Sequence, residues 1–307
     1  MDNKREPGRK EFLVCNIVLA ILLSVAMVSG LYEIFLMIFV PAVLAYMFVR
    51  FKGKYAAAPI VLSVLIPLIF SGGLNISAAL LSVPAGALIA YSVKHQKGLL
   101  HGVVSGVLGE IAGLALFFMA IRMGGGEAAV FSENMSTGFN EALGAAFEAY
   151  GVPSQYQSMM YEVFVSVLPS VVIIMLTVFS YIALVLCLVL LVIRGEEYAL
   201  GYRPFTCIKA DKSCAVILMA AFAASIFTKG IVAKTLVNTV IILSFFMFVC
   251  GVSTASFLIK RKCKKPLKTI LYVVSAVMMV FAPTVFMLMG FADSFINIRG
   301  ITPPKKK

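Results

Sequence analysis

Charged residues are scarce in this chain. Asp, Glu, Lys and Arg make up only 13% of its 307 residues, whereas 61% are hydrophobic and the mean hydropathy is +1.01. Soluble domains carry about 25% charged residues, so this chain has too little polar surface to cover itself in water. The composition therefore argues against a soluble protein and indicates an integral membrane protein.

Paired metal ligands and catalytic motifs are also missing from the sequence. The six cysteines are scattered without a CxxC pair, and the two histidines, His95 and His101, lie far from any paired cysteine. This pattern favours neither a disulfide framework nor a zinc site. The chain has no GxSxG, HExxH, P-loop or strand-associated GxGxxG motif, and no recognisable nucleic-acid-binding module. We therefore expect no enzymatic activity, no cofactor and no nucleic-acid partner.

Long apolar runs are what the chain has instead. The run at 164–193 exceeds the ~20 residues that a helix needs to cross a bilayer. Because such runs are continuous rather than alternating, they favour helices over the strands of a β-barrel. Nine apolar segments can be drawn, at about 12–29, 31–49, 56–71, 75–93, 99–123, 163–193, 213–228, 231–259 and 266–291. The sequence thus predicts an all-α, polytopic transmembrane helical bundle of eight to nine spans.

Basic residues are unevenly distributed between the predicted loops. If the N-terminus is cytoplasmic, the inner loops and the N-terminal tail hold 19 of the 26 Lys and Arg residues. Since basic residues concentrate on the cytoplasmic side, we expect a multi-pass plasma-membrane protein with a cytoplasmic N-terminus. Nine spans would place the C-terminus outside and eight would place it inside. The basic run 260–268 either reflects this orientation or binds anionic lipid or an acidic partner.

The predicted segments divide the chain into five regions. These are a basic tail (1–11), an N-terminal bundle of about five spans (12–123), an acidic outer loop (124–162), a C-terminal bundle of three to four spans (163–291) and a C-terminal tail (292–307). In the acidic loop, apolar residues recur every four positions and glutamates fall on the opposite face, which predicts an amphipathic helix over 128–150. This helix either covers the bundle at the outer membrane surface or forms a lid over a site.

One carboxylate lies deep within an apolar segment. Glu110 occupies the middle of the 99–123 segment and borders a glycine stripe formed by Gly102, Gly106, Gly109 and Gly113. The stripe lets another helix approach closely. An unpaired charge at this depth costs at least ~2.5–3.5 kcal/mol. Glu110 is therefore either a ligand or ion contact, or a protonated packing residue that donates to a backbone carbonyl.

Few other polar residues occur in the apolar runs. Asn238, in the 231–259 segment, is a candidate partner for Glu110. Glu33 and Asn75 lie at predicted outer turns. If their helices meet, Glu33, Asn75, Glu110 and Asn238 would line an outward-facing binding site for a small molecule.

Three stretches resemble a known family: 39–57, 200–213 and, above all, the ending MGFADSFINIRG with Gly290, Asp293 and Arg299. Over nearly its whole length the chain resembles the YybS-like family of bacterial membrane proteins, although 200–213 has fewer prolines than that family. Asp293 and Arg299 would not face each other on a continuous helix. We therefore expect the helix to end near Asp293 and the pair to anchor the chain end.

The YybS-like family is distantly similar to the S-components of energy-coupling-factor transporters and to the rod-shape protein MreD. The resemblance implies a helical bundle with a small-molecule pocket on the outer side. It also implies that partners dock on small residues, here Ala20 and Ser24. The leading hypothesis is a small-molecule-binding transporter subunit that works with an energising membrane partner. The alternative is an MreD-like membrane scaffold or regulator that acts through protein partners.

Overall fold

The computed structural model describes residues 8–28, 35–51, 55, 57–71, 77–123, 126–196, 202 and 204–300. Within these ranges the chain is helical and has no strand, as the continuous apolar runs predict. The α-helices are α1 Arg9–Val28, α2 Val40–Arg50, α3 Ala57–Ser71, α4 Ser77–Lys94, α5 Leu99–Met123, α6 Gly126–Ala149, α7 Ser154–Ile193, α8 Lys212–Phe227, α9 Gly230–Lys262, α10 Lys265–Phe281 and α11 Pro283–Ile296. A π-helical turn, Phe35–Phe39, leads into α2, and a 3-10 turn, Phe205–Cys207, precedes α8.

Among the described residues, three helices are long and apolar enough to cross a membrane. They are α5 over Leu99–Met119, α7 over Ser154–Ile193 and α9 over Gly230–Arg261. Helices α10 and α11 meet the same criteria only as a pair, so the described residues hold up to four candidate spans if this bent pair counts as one. The eight to nine predicted spans are therefore not confirmed. A straight span needs ~20 residues, whereas α3 and α8 have 15 and 16.

The apolar segment predicted at 266–291 forms two helices that are separated by a sharp bend. Helix α10 ends at Phe281, α11 begins at Pro283, and the two helices are bent by 106°. Proline has no backbone N–H, and its ring clashes with the carbonyl four residues earlier. This explains a break at Pro283, where the pair forms either a broken span or a re-entrant loop.

The chain folds into two compact units. The first unit contains Met1–Gln157 and Met175–Tyr202, and the second contains Ser158–Ile174 and Arg203–Lys307. Helix α7 therefore contributes Ser158–Ile174 to the second unit and its remaining residues to the first. The core of the first unit is built from fully buried residues of α1, α2, α4 and α7, including Leu19, Leu44, Ile89, Leu184 and Leu191. The core of the second unit contains Ala210, Ala215, Leu218, Met247 and Cys250.

The helix that the sequence predicts over 128–150 corresponds to α6. Phe139, Leu143 and Phe147 are half-buried on one face, while Glu141 and Glu148 are exposed on the other. The four-residue spacing of the half-buried positions matches the period of a helix with one apolar face.

Candidate functional site

Glu110 is buried in the first unit, on α5. It is only 2% exposed, and neither oxygen of its carboxyl group has a hydrogen-bond partner within the described ranges. The hydroxyl of Ser180, on α7, lies beside the carboxyl group, and no other polar group within the described ranges is placed to bond with this hydroxyl. Buried polar side chains nearly always have a partner, so two neighbouring groups without one are an unusual arrangement.

Two glycines of the stripe bring α7 close to α5. A Cβ atom on Gly102 would lie 2.6 Å from a methyl carbon of Leu184. A Cβ atom on Gly106 would lie 2.8 Å from both Cβ and Oγ of Ser180. The missing side chain at Gly106 thus allows the Ser180 hydroxyl to sit one helical turn before Glu110.

The other two glycines bring α4 close to α5. A Cβ atom on Gly109 would lie 2.5 Å from Cα of Ala85, and one on Gly113 would lie 2.5 Å from the carbonyl oxygen of Leu80. Backbone therefore packs against backbone along this side of the stripe. Close approach of this kind is the usual role of small residues between membrane helices.

A proline places a further oxygen beside the stripe. Pro84 lies inside α4 and has no N–H, so the carbonyl of Leu80, four residues earlier, lacks its usual helical donor. That carbonyl faces Gly113, one turn after Glu110. Ser180 and the Leu80 carbonyl thus flank Glu110 along α5. Neither the Ser180 hydroxyl nor the Leu80 carbonyl was predicted from the sequence, although Pro84 could have indicated a carbonyl without its helical donor.

The other predicted site residues do not join Glu110 in this arrangement. Glu33 and Asn75 lie outside the described residues. Asn238 belongs to α9 of the second unit, and both N–H bonds of its side chain are used there. Its Nδ2 donates to the carbonyl of Ser166 at 2.7 Å and to that of Lys234 at 2.8 Å.

Asn238 supports a proline inside α7. Its Oδ1 accepts a hydrogen bond from the backbone N–H of Ser170 at 2.9 Å, while its Nδ2 donates to the carbonyl of Ser166. These two backbone groups pair with each other in a regular helix, and Pro169 lies between them. A neighbouring helix commonly satisfies the backbone groups that proline disturbs in a membrane helix. Asn238 therefore has a structural role at this position.

Asp293 and Arg299 form a buried ion pair in the second unit. Nε and Nη2 of Arg299 donate to Oδ2 of Asp293 at 3.0 and 2.8 Å. Nη2 also donates to the carbonyl of Ile208 at 2.7 Å, and Nη1 donates to the carbonyl of Thr206 and to Oγ of Ser253, both at 2.8 Å. All five N–H bonds of the guanidinium group are thus used.

The chain end reaches this position because α11 ends between the two residues. Helix α11 ends at Ile296, and Asn297 adopts a left-handed conformation with φ of 53°. Lys209 donates from Nζ to Oδ1 of Asn297 at 2.7 Å. At Gly290, α11 packs directly against the carbonyl of Met247 on α9. The ion pair therefore links the end of α11 to α9 and to the segment before α8.

A second charged cluster, which the sequence analysis did not identify, lies in the first unit. Arg50 donates to Glu196, and its Nε lies 3.5 Å from Oε1 of Glu11. The same oxygen of Glu11 accepts a hydrogen bond from Tyr46 at 2.6 Å and lies 3.7 Å from Nε of Arg194. Two acids and two bases thus neutralise each other where α1, α2 and the end of α7 meet. Glu110 has no comparable cation beside it among the described salt bridges.

The first helix carries the small residues proposed for partner docking. Ala20 and Ser24 of α1 are both half-buried. The most exposed face of α1 consists instead of large apolar residues, namely Leu13, Val14, Ile17, Val18, Ile21 and Val25. An exposed apolar face is suited to contact with lipid chains or with another membrane helix.

Comparison with known proteins yields one family. A family model described as a predicted membrane protein (DUF2232) matches residues 17–294. No curated protein and no solved structure matches the chain. The resemblance to the YybS-like family, to energy-coupling-factor S-components and to MreD is not confirmed by these comparisons. Because the match covers most of its length, the chain belongs to the DUF2232 family of predicted membrane proteins.

Proposed function

We propose that this chain is a small-molecule-binding subunit of a membrane transporter and that Glu110 contacts the ligand. The buried carboxyl group of Glu110, which has no hydrogen-bond partner among the residues that the structure describes, is the observation that carries the proposal. A buried polar group left unsatisfied costs about 1–3 kcal/mol, and a charged group costs more. A ligand that bonds to Glu110 recovers this free energy, so the site favours the bound state.

The wider proposal follows the resemblance to S-components. The subunit would lie in the plasma membrane with a cytoplasmic N-terminus, eight to nine spans and a site that opens outward. Helix α6 would lie at the outer surface as a cover or lid. Since the sequence has no nucleotide-binding motif, a separate membrane partner would energise transport.

Native mass spectrometry of the mildly solubilised full chain, purified from its own host, tests this proposal. We expect a discrete small-molecule adduct that is lost when Glu110 is replaced in Glu110→Gln. The matched control is Glu148→Gln, which removes an exposed carboxylate of α6 and should retain the adduct. An adduct that persists unchanged in Glu110→Gln would contradict the role of Glu110.

The same measurement distinguishes a small-molecule-binding subunit from a membrane scaffold. The exposed apolar face of α1 favours this second function, because a partner helix could pack on it. A co-purified partner protein with no small-molecule adduct would support a scaffold or regulator. Bulky substitutions at Ala20 and Ser24 should then release the partner, whereas they should leave a bound small molecule in place if the chain is a binding subunit.

A further inference from the structure

We propose that Glu110 binds a compact group with a single positive charge, either a bare monovalent cation such as Na⁺ or the ammonium end of a small primary amine. This inference rests on the proposed function and specifies the class of its ligand. Three features of the buried site support it: the kind of polar atoms present, their total charge and the space around them.

The polar atoms around Glu110 are predominantly hydrogen-bond acceptors. Among the described residues, the two carboxyl oxygens and the Ser180 hydroxyl have no geometrically defined hydrogen-bond partner. The Leu80 carbonyl lacks its usual helical donor because Pro84 has no N–H. Helix interiors offer no free N–H groups, since each N–H is paired with the preceding turn. Oxygen atoms of this kind are the ligands of hard cations, and an ammonium group brings three donors and no acceptor. An anion would instead meet the carboxylate without a compensating donor.

The charge at the site matches one monovalent cation. Glu110 is the carboxylate of the α5 stripe, and the described part of the chain contains no cluster of three or more His, Cys, Asp or Glu side chains. Divalent cations are usually held by several carboxylates or by many oxygens. A single carboxylate neutralises one positive charge, so a divalent ion would leave an uncompensated charge in a buried position.

The space beside the stripe limits the size of the bound group. Cβ atoms added at Gly106, Gly109 or Gly113 would lie within 2.5–2.8 Å of atoms on α4 or α7. The helices around Glu110 are therefore closely packed, and its side chain is only 2% exposed. Close packing favours a compact bound group, such as a bare cation or a primary ammonium, over a branched or quaternary ammonium ion.

Thermal unfolding of the purified full chain in detergent, in a panel of chloride salts, tests the inference. The chain has no Trp, so the loss of helical circular dichroism reports unfolding. The probes are NaCl, methylammonium chloride and choline chloride at equal ionic strength and mildly alkaline pH. At about 100 mM salt, we expect NaCl or methylammonium to raise the unfolding temperature by roughly 3–5 °C relative to choline.

The pattern across salts and variants decides the outcome. A rise with Na⁺ alone identifies a bare cation, whereas a rise with methylammonium, with or without Na⁺, identifies an ammonium group. Either rise should disappear in Glu110→Gln and persist in Glu148→Gln. The inference is overturned if neither salt differs from choline, or if the rise persists in Glu110→Gln.

This result is separable from the test of the proposed function. A neutral or anionic adduct that is lost in Glu110→Gln would overturn the cation class and leave the binding subunit intact. If no adduct is found but the cation-dependent rise occurs, Glu110 binds a cation and the small-molecule function fails.

Discussion

Two buried acids in this protein have opposite surroundings. Asp293 is 1% exposed and Glu110 is 2% exposed. Asp293 accepts three hydrogen bonds from Arg299, through its backbone N–H, Nε and Nη2. Glu110 accepts none within the described ranges. Burial is thus equal, and the difference lies in the partners.

The comparison separates an acid that stabilises the fold from one that is available for binding. A buried ion pair is tolerated when each charge is compensated and each donor is used, and Arg299 meets this condition with five bonds. A carboxyl group without a compensating charge or a donor contributes no hydrogen bond to stability, and its oxygens remain available to bind a ligand. The number of partners, rather than depth, indicates which role a buried charge has.

Breaking the satisfied site should give the largest loss of stability. Arg299→Ala would leave Asp293 as a buried, unpaired charge, which costs about 3–5 kcal/mol. Chemical denaturation in detergent, followed by helical circular dichroism, measures this loss. Arg299→Lys keeps the charge but not the planar fork and should give an intermediate loss. A loss below about 1 kcal/mol for the alanine variant would show that the ion pair is not a principal support.

Crowding the glycine stripe should have the next largest effect. In Gly109→Ala, the new Cβ atom would lie 2.5 Å from Cα of Ala85, and overpacking of this kind costs about 1–3 kcal/mol. The matched control is Gly138→Ala in α6, where no atom lies within 4 Å of the added Cβ. This control should gain roughly 0.5–1 kcal/mol from its higher helix propensity. Equal changes in the two unfolding free energies would mean that α4 does not pack closely on α5.

Removing the support of Pro169 should cost slightly less. In Asn238→Ala, the carbonyl of Ser166 and the N–H of Ser170 lose the partner that they share, with an expected loss of about 1–2 kcal/mol. Asn140→Ala is the control, because Asn140 is exposed on α6, and it should change the unfolding free energy by less than about 0.5 kcal/mol. If the two variants were equally stable, the hydrogen bonds of Asn238 would not contribute to the fold.

The smallest effect on stability should come from Glu110 itself. Glu110→Gln keeps the size of the side chain and leaves no cation unpaired, so the unfolding free energy should fall by less than about 0.5 kcal/mol and should rise where the carboxyl group is ionised. Asp293→Asn makes the same chemical change but leaves Arg299 as a buried, unpaired cation, at a cost of about 3–5 kcal/mol. Denaturation of both variants side by side tests the comparison directly. Similar losses would indicate that Glu110 has a partner in the folded protein.

The helical class and the membrane character could both be predicted from the sequence. Both depend on local properties, namely the apolar composition and the continuity of the runs. The glycine stripe beside Glu110 was also visible in the sequence, since its spacing places the glycines on one face of a helix whatever that helix contacts. The identity of the contacting helices, α4 and α7, was not visible.

The number of spans could not be predicted in the same way, because prolines in apolar runs have different outcomes. Pro84 and Pro169 lie inside helices, whereas Pro283 begins a new one after a bend of 106°. At Pro169, Asn238 bonds to the flanking backbone groups from 68 or more residues away. At Pro169, a side chain distant in sequence thus supports the helix, which the local sequence does not reveal.

Sequence alone is enough to assign this chain to helical membrane proteins, because backbone hydrogen bonds within a helix and the transfer of apolar residues into lipid are local effects. Three-dimensional packing was needed to show that Arg299 satisfies Asp293, that Asn238 supports α7 and that Glu110 lacks a partner. Asn238 bonds to a different helix, and Arg299 reaches Asp293 only because the chain turns back after the end of α11. The free energies of these pairings depend on distance and burial, which no spacing along the chain specifies.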